Sequence, residues 1–166
     1  HVVKPRMRHQ VGHFDIEWFG LTHSTPESQA LMIRTPLGNL FHTGDWKIDR
    51  DPVVGAKIDE SALIALGKEG VLAMVCDSTN AMLPGHSPSE GILYGNLLRY
   101  TLQAKGRVVV ACFGSNVARL HTLGRVAIES RRYPALLGRS LHNYYRAAKV
   151  SGLWTLGKDF VEAQHL

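Results

Sequence analysis

Two short apolar runs joined by a turn constrain the fold of this chain more than any other feature of its sequence. Residues 29–35 and 39–43 alternate as short strands do, and the turn sequence Pro36-Leu37-Gly38 lies between them. A hairpin formed by these runs would bring its two flanks close together. Because His23 precedes the first run and Asp45 follows the second, we expect both side chains on loops of one antiparallel sheet.

His23 and Asp45 are candidate metal ligands by their chemistry. Imidazole nitrogen and carboxylate oxygen are donors that hydrolytic zinc and manganese sites use. A carboxylate can also bridge two cations about 3.5–4 Å apart. Each residue has an ordinary alternative, because one histidine is not a metal site and an aspartate can simply end a strand or cap a turn. The pattern favours part of a metal-dependent hydrolase and leaves the structural alternative open.

The composition is that of a globular domain with a basic surplus. The 166 residues are 45% hydrophobic and 20% charged, which excludes a disordered chain. No apolar run approaches the roughly 18 residues needed to span a bilayer. A formal charge of +5 suits a polyanionic partner such as RNA, although solvated helix faces would explain the same surplus. Cys76 and Cys112 each end an apolar run, so we expect buried thiols and a reducing, cytoplasmic compartment.

Outside the hairpin, the pattern changes from strands alone to alternating strands and helices. A strand is predicted over residues 14–21, and Asp59 is a candidate cap for a helix that runs to about residue 66. The later part predicts two strands buried on both faces, over residues 71–76 and 107–113, and a short third strand over residues 134–137. It also predicts three helices, over residues 87–104, 116–130 and 140–151. The predicted fold class is α/β: antiparallel strands, followed by a parallel sheet flanked by helices.

Some local details of this prediction rest on single side chains. The helix over residues 87–104 is predicted from a capping box in which Ser87 accepts from a first-turn amide and Glu90 reaches back, with Pro88 at the first helical position. We expect His42 to be a packed strand residue, with the alternative that it supports a metal ligand by a hydrogen bond, and His86 to lie on a surface loop.

The order of several short motifs is more specific than any one of them. These motifs occupy residues 22–28, 41–49, 76–80, 84–90, 113–119 and 138–143. In this order they resemble the metallo-β-lactamase superfamily and, within it, the β-CASP nucleases of the ribonuclease J family. The resemblance implies that residues 1–80 are part of the metallo-β-lactamase core and that residues 81–166 are part of an inserted β-CASP domain.

The resemblance also implies roles for particular residues. His23 and Asp45 would be ligands of two divalent metal ions, zinc or alternatively manganese. Asp77 would act catalytically by orienting a ligand or a water molecule, although without the resemblance an aspartate that simply caps the following turn is favoured. Four residues would hold RNA phosphate: Ser115, Asn116, Arg139 and Ser140. Serine and asparagine are also ordinary helix caps, and an arginine can simply face solvent.

The implied activity is metal-dependent hydrolysis of RNA phosphodiester bonds, both as a 5′-to-3′ exonuclease and as an endonuclease. The superfamily signature His-x-His-x-Asp-His is absent, so we expect an internal fragment of a larger enzyme that is inactive alone. Two alternatives stay open: a noncatalytic RNA- or nucleotide-binding α/β module, and a hydrolase of the same superfamily with a small-molecule substrate. The sequence does not decide the oligomeric state of the full-length protein, for which a homo-oligomer is one option.

Overall fold

The computed structural model describes residues 2–162, which form two compact units. The first unit holds Glu27–Arg50 and Ala56–Ser87 together with the residues up to His23. The second unit holds the residues from Pro88 onward together with Ser24–Pro26 and Asp51–Gly55. The assignment of residues 1–80 and 81–166 to two parent domains stays a prediction.

The first unit is built on a five-stranded sheet whose strands follow chain order. Strands β1 to β4 pair antiparallel, β5 lies parallel to β4, and helix α1 (Glu60–Glu69) separates those two strands in sequence. The strands are β1 (Arg8–Val11), β2 (Phe14–Gly20), β3 (Gln29–Thr35), β4 (Gly38–His42) and β5 (Ala73–Val75). The strands predicted over residues 14–21, 29–35 and 39–43 are confirmed, as is the hairpin between the last two.

The hairpin between β3 and β4 is tight because its turn sequence suits it. Thr35 pairs with Gly38, which leaves only two residues in the loop. Gly38 has φ +140°, and a Cβ there would lie 2.7 Å from Cδ2 of Leu72. Only glycine therefore fits both the backbone conformation and the packing at this position.

One face of this sheet packs against α1 to form the core of the first unit. Met32 and Ala30 are fully buried in β3, and Phe41 lies opposite Met32 in the register. Leu66 of α1 packs against the same cluster. Asp59 caps α1 as predicted, since its side chain accepts from the Ala62 amide at 3.0 Å.

Strand β5 differs from its prediction. A strand buried on both faces was expected over residues 71–76, but β5 spans only Ala73–Val75 and all three residues are exposed. Cys76 is exposed too, so the expectation of a buried thiol there is wrong. Within residues 2–162, β5 has a neighbour on one side only, and an apolar run is buried on both faces only where other elements cover it.

The second unit consists mainly of helices. A 3-10 turn (Glu90–Leu93) leads into α2 (Tyr94–Gln103), and α3 (Val117–Glu129) and α4 (Arg139–Val150) follow. Strands β6 (Ala135–Leu136) and β7 (Val161–Glu162) form a short parallel sheet. The α/β fold class, with an antiparallel sheet and a parallel sheet flanked by helices, is confirmed.

Two predictions for the second unit are wrong. The strand expected over residues 107–113 does not form, and Val109 and Phe113 are 86% and 85% exposed. The capping box is displaced, because Ser89 rather than Ser87 caps the 3-10 turn. Glu90 binds Arg119 and Asn116 at the start of α3. Among residues 2–162, no helix is long and apolar enough to cross a membrane.

Candidate functional site

The sheet of the first unit directs three loops to one edge. Strands β2 and β4 are both antiparallel to β3, so they run in the same direction, and β5 is parallel to β4. The carboxyl ends of these three strands therefore lie at the same edge of the sheet. His23 follows β2, Asp45 follows β4 and Asp77 follows β5.

Hydrogen bonds join the first two of these loops next to the candidate ligands. The Lys47 amide donates to the Thr22 carbonyl at 2.8 Å, and the Thr22 hydroxyl donates to the Lys47 carbonyl at 2.6 Å. The same hydroxyl accepts from the Asp49 amide at 2.9 Å. Thr22 is buried and directly precedes His23. The loops that carry His23 and Asp45 are thus held together, as the hairpin argument expected.

Thr43 joins the second and third loops, as Thr22 joins the first and second. Its amide donates to the Val75 carbonyl at 3.0 Å, and its buried hydroxyl accepts from the Asp77 amide at 3.0 Å. The indole Nε1 of Trp46 donates to the Asp77 carbonyl at 3.1 Å. Asp45 lies between Thr43 and Trp46, so both residues that fix its turn also fix the backbone of Asp77.

Gly44 gives the turn before Asp45 its shape. It has φ +59°, and a Cβ there would lie 3.1 Å from the Gln29 carbonyl. Its amide donates to Nδ1 of His42 at 3.0 Å. His42 is exposed rather than packed, which corrects our expectation, and its ring supports the turn that presents the exposed Asp45 carboxylate.

Asp77 is half-buried and accepts hydrogen bonds within its own turn. Its Oδ1 accepts from the Thr79 hydroxyl at 2.6 Å and from the Thr79 amide at 3.0 Å. These bonds lower the pKa of the Asp77 carboxyl, with the hydroxyl bond as the largest cause, and the nearby His23 lowers it further. One oxygen of the Asp77 carboxylate thus caps its own turn, as the structural alternative predicted. The same carboxylate also interacts electrostatically with His23.

A cavity of ≈ 400 Å³ adjoins Asp77 in the first unit. Its lining includes Trp46, Lys47, Asp77, Thr79 and His86. His86 lies on an exposed loop as expected, but no sequence pattern predicted that this loop returns to Asp77. The only local signal is Gly85, whose φ of +101° allows the sharp turn before His86.

The donor types at this edge fit a divalent metal ion, but their number does not complete a site. Histidine nitrogen and carboxylate oxygen are suitable ligands for zinc or manganese. Among residues 2–162, however, no group of three or more histidine, cysteine, aspartate or glutamate side chains is arranged to hold a metal ion. A catalytic zinc ion usually has three protein ligands. Residues 2–162 therefore supply part of a metal site at most.

The predicted phosphate-binding residues are in the second unit, on two loops that touch. A Cβ at Gly114 would lie 2.6 Å from Oγ of Ser140, so the absence of a side chain allows this close approach. Ser115 adjoins Gly114 and is half-buried. Arg139 is the first residue of α4, and its side chain is exposed. The structure thus brings Ser115, Arg139 and Ser140 into one region.

Asn116 caps helix α3, which was the structural alternative to a role in binding phosphate. Its Oδ1 accepts from the Arg119 amide at 2.9 Å, which caps α3, and its Nδ2 donates to Glu90 at 3.3 Å. Glu90 also pairs with the Arg119 guanidinium at 2.7 Å. The sequence did not reveal this partly buried cluster, because Glu90 matched a local capping pattern instead of a contact with a distant helix.

Comparison with known proteins agrees with the motifs. Residues 105–166 match the family model described as ribonuclease J, beta-CASP domain. The chain is 44% identical over 160 residues to ribonuclease J of Sinorhizobium meliloti, which covers 96% of this chain and 28% of that protein. It is 40% identical over 141 residues to ribonuclease J of Mycobacterium tuberculosis, which covers 85% of this chain and 25% of that protein.

A solved structure supports the fold alone. A protein of unknown function from Enterococcus faecalis V583 superposes with a TM-score of 0.62 at 16% identity, over 98% of this chain and 41% of that chain. The chain spans about a quarter of the length of the curated relatives it matches. The resemblance predicted from the ordered motifs is confirmed.

Proposed function

We propose, since this chain belongs to the ribonuclease J family, that it is part of a metal-dependent ribonuclease that hydrolyses RNA phosphodiester bonds. The similarity to ribonucleases J supports a ribonuclease as the kind of enzyme. Metal dependence and both modes of cleavage, 5′-to-3′ exonuclease and endonuclease, belong to the proposal. The parent protein is the proposed enzyme, and this chain alone is expected to be inactive.

The observation that supports this proposal best is the junction of three loops at one edge of the first sheet. Thr22 binds the loop that carries Asp45, and Thr43 binds the backbone of Asp77. A preorganised site needs its reactive groups on fixed elements, and these hydrogen bonds restrain both flanks of the Asp45 turn. An incidental aspartate on a loop would not need such restraint on both sides.

We assign two ligands of a divalent metal centre to His23 and Asp45, with further ligands outside residues 2–162. Divalent metal ions, when bound, acidify water and neutralise charge on a reacting phosphate. Zinc is the preferred ion because of the imidazole donor, and manganese is the alternative. Asp45 is exposed at its turn, so its carboxylate is accessible to ions and to substrate.

Asp77 orients the reacting groups in this proposal. An aspartate carboxyl is ionised near neutral pH and can then only accept hydrogen bonds, and the lowered pKa of Asp77 favours the ionised form further. Thr79 engages Oδ1, and the carboxylate has a second oxygen that can hold a water molecule or the N–H of a histidine. The adjacent cavity gives room for a nucleotide to approach this carboxylate.

The phosphate-binding loops of the second unit would fix the register of the RNA strand. The hydroxyls of Ser115 and Ser140 and the guanidinium of Arg139 are suitable donors to phosphate oxygens. Asn116 contributes by capping α3 and thereby shaping the loop, since its side chain is engaged with Arg119 and Glu90. Recognition of a terminal 5′ phosphate would favour exonucleolytic cleavage, and binding further along the strand would favour internal cleavage.

The alternative of a noncatalytic RNA-binding module has one observation in its favour for this chain alone. The described residues provide no group of three ligands for a metal ion. The isolated chain should therefore bind RNA without cutting it.

We place the parent protein in the cytoplasm, because both cysteines are free thiols, which a reducing compartment maintains.

The test is the substitution Asp45→Ala in the full-length parent protein. RNA turnover should fall by more than about 100-fold, beyond the loss typical of residues that only support a metal ligand, and the metal content measured by mass spectrometry should also fall. Glu60→Gln is the matched control, since it removes an exposed acid of the same unit whose pairing with Arg50 is at the surface. Unchanged turnover and metal content in Asp45→Ala would contradict the assignment.

A further inference from the structure

The second unit contains a long segment without negative charge. Between Glu129 and Asp159 every formally charged side chain is basic. These residues are Arg131, Arg132, Arg139, Arg146, Lys149 and Lys158. Such a segment produces a positive potential that internal acids do not neutralise.

Helix α4 places its part of this charge on one face. Residues three and four positions apart are neighbours on a helix, so Arg139, His142, Arg146 and Lys149 form a single stripe. All four side chains are exposed. Ala148 lies on the opposite side of the helix and is buried. We call this stripe the basic face of α4.

Most of the basic face has no internal use. Among residues 2–162, neither Arg139 nor Arg146 forms an ion pair or a side-chain hydrogen bond. His142 uses one ring nitrogen, Nε2, which donates to the Leu136 carbonyl at 3.1 Å. Lys149 differs, because it pairs with Asp159 at 2.5 Å. The two arginines are therefore available to an external anion.

The basic face also contains a concave surface. A cavity of ≈ 320 Å³ is lined by His142, Tyr145, Arg146, Lys149 and Val150. This volume is at the small end of the range for ligand pockets, about 300–1,000 Å³. The cavity combines the side chains of Arg146 and Tyr145 in one lining, and the Lys149 ammonium lies 5.6 Å from the centre of the Tyr145 ring. Cations beside an aromatic ring are a combination suited to a phosphate with its attached sugar.

We propose that the basic face of α4 binds the phosphodiester backbone of single-stranded RNA. From Arg139 to Lys149 the helix rises about 15 Å, enough for more than one phosphate. Arginine favours phosphate because its planar donors can bind two oxygens at once. The inference rests on the proposed function for the identity of the polyanion. It extends the binding surface beyond Arg139 to His142 and Arg146, to which the family resemblance assigned no role.

The experiment measures binding of the chain to a fluorescently labelled oligouridine of about twelve nucleotides by anisotropy at several salt concentrations. Arg146→Gln should weaken binding about 10-fold and lower the slope of log K against log salt by about 0.7. Arg146→Lys should restore most of the affinity because it restores the charge. Arg107→Gln is the matched control, since it removes an exposed arginine of the same unit outside α4. Circular dichroism verifies that each variant is folded.

Several outcomes would overturn the inference. They are equal affinity of Arg146→Gln and the unchanged chain, an equal loss in Arg107→Gln, or no RNA binding by the unchanged chain. Displacement of the RNA by polyglutamate as effectively as by unlabelled oligouridine would overturn it in favour of an acidic protein partner. None of these outcomes bears on Asp45, whose role is judged separately by turnover and metal content.

Discussion

The first unit forms its sheet from sequence neighbours, whereas the second unit leaves its longest apolar run without a partner strand. In the first unit, hairpin connections join β1 to β2 and β3 to β4. In the second unit, residues 107–113 form no strand and are largely exposed. Antiparallel partners are supplied by a short turn, but a parallel strand needs a neighbour that returns after a crossover. Local sequence therefore specifies the first kind of sheet more completely than the second.

The same contrast applies to the two candidate sites. Hydrogen bonds between strand ends, through Thr22 and Thr43, hold the loops that carry His23, Asp45 and Asp77. Helix caps and close packing position the proposed phosphate-binding residues instead, through Asn116 and the contact of Gly114 with Ser140. A site on fixed strand ends keeps its geometry more rigidly than one on loops.

The largest expected effect comes from removing a buried side chain of the first sheet. Met32 has no exposed surface, so Met32→Ala should lower the free energy of unfolding by about 2–5 kcal/mol. Val109→Ala is the matched test in the second unit. At 86% exposure it should change the free energy of unfolding by less than about 0.5 kcal/mol. Urea unfolding followed by circular dichroism measures both, and equal losses would mean that the two apolar runs are buried alike.

Helix capping should give a smaller effect that differs between the units. Asn116→Ala removes the cap of α3 and also leaves Glu90 without one donor, so it should destabilise the chain by about 1–2 kcal/mol. Asp59→Ala removes a cap of α1 with exposed surroundings and should cost about 1 kcal/mol or less. Asn116→Ser keeps a capping oxygen and should recover part of the loss. If Asn116→Ala had no effect on urea unfolding, the cap would not support the phosphate-binding loop.

Acidification should give the smallest effect, and mainly in the first unit. The pKa of Glu69 is lowered from 4.5 chiefly by its hydrogen bond with Arg34, and that of Asp59 is lowered from 3.8 chiefly by Ser61. A carboxyl with a lowered pKa contributes stability above its unfolded pKa, and the contribution is lost as the pH falls through the folded value. The melting temperature should therefore decline below about pH 4.5. Glu69→Gln should show a shallower decline, and an identical pH profile would contradict this origin.

The features predicted from sequence were those specified by nearby residues. Turn residues located the β3–β4 hairpin, and Asp59 and Asn116 located the starts of α1 and α3. The features missed depend on residues far apart in the chain. The exposure of β5 depends on whether distant parts of the chain cover it, which its own residues do not specify. Glu90 matched a local capping box, whereas its partner Arg119 lies in another helix.

The candidate site shows the same limit. The motifs located His23, Asp45 and Asp77, and the strand order explains why their loops meet. The roles of Thr22 and Thr43 were not predicted, because a hydroxyl that joins two loops has no local signature. His86 was overlooked for a similar reason, since its position beside Asp77 depends on the course of a loop rather than on a pattern.

The most direct test of the account is a double-mutant comparison of His23→Ala and Asp45→Ala in the full-length parent protein, with RNA turnover as the readout. Residues that act together on one centre are strongly non-additive, so the double variant should be no slower than the slower single variant. Losses that multiply, as they do for independent sites, would contradict the shared centre. Full turnover in either single variant would contradict it as well.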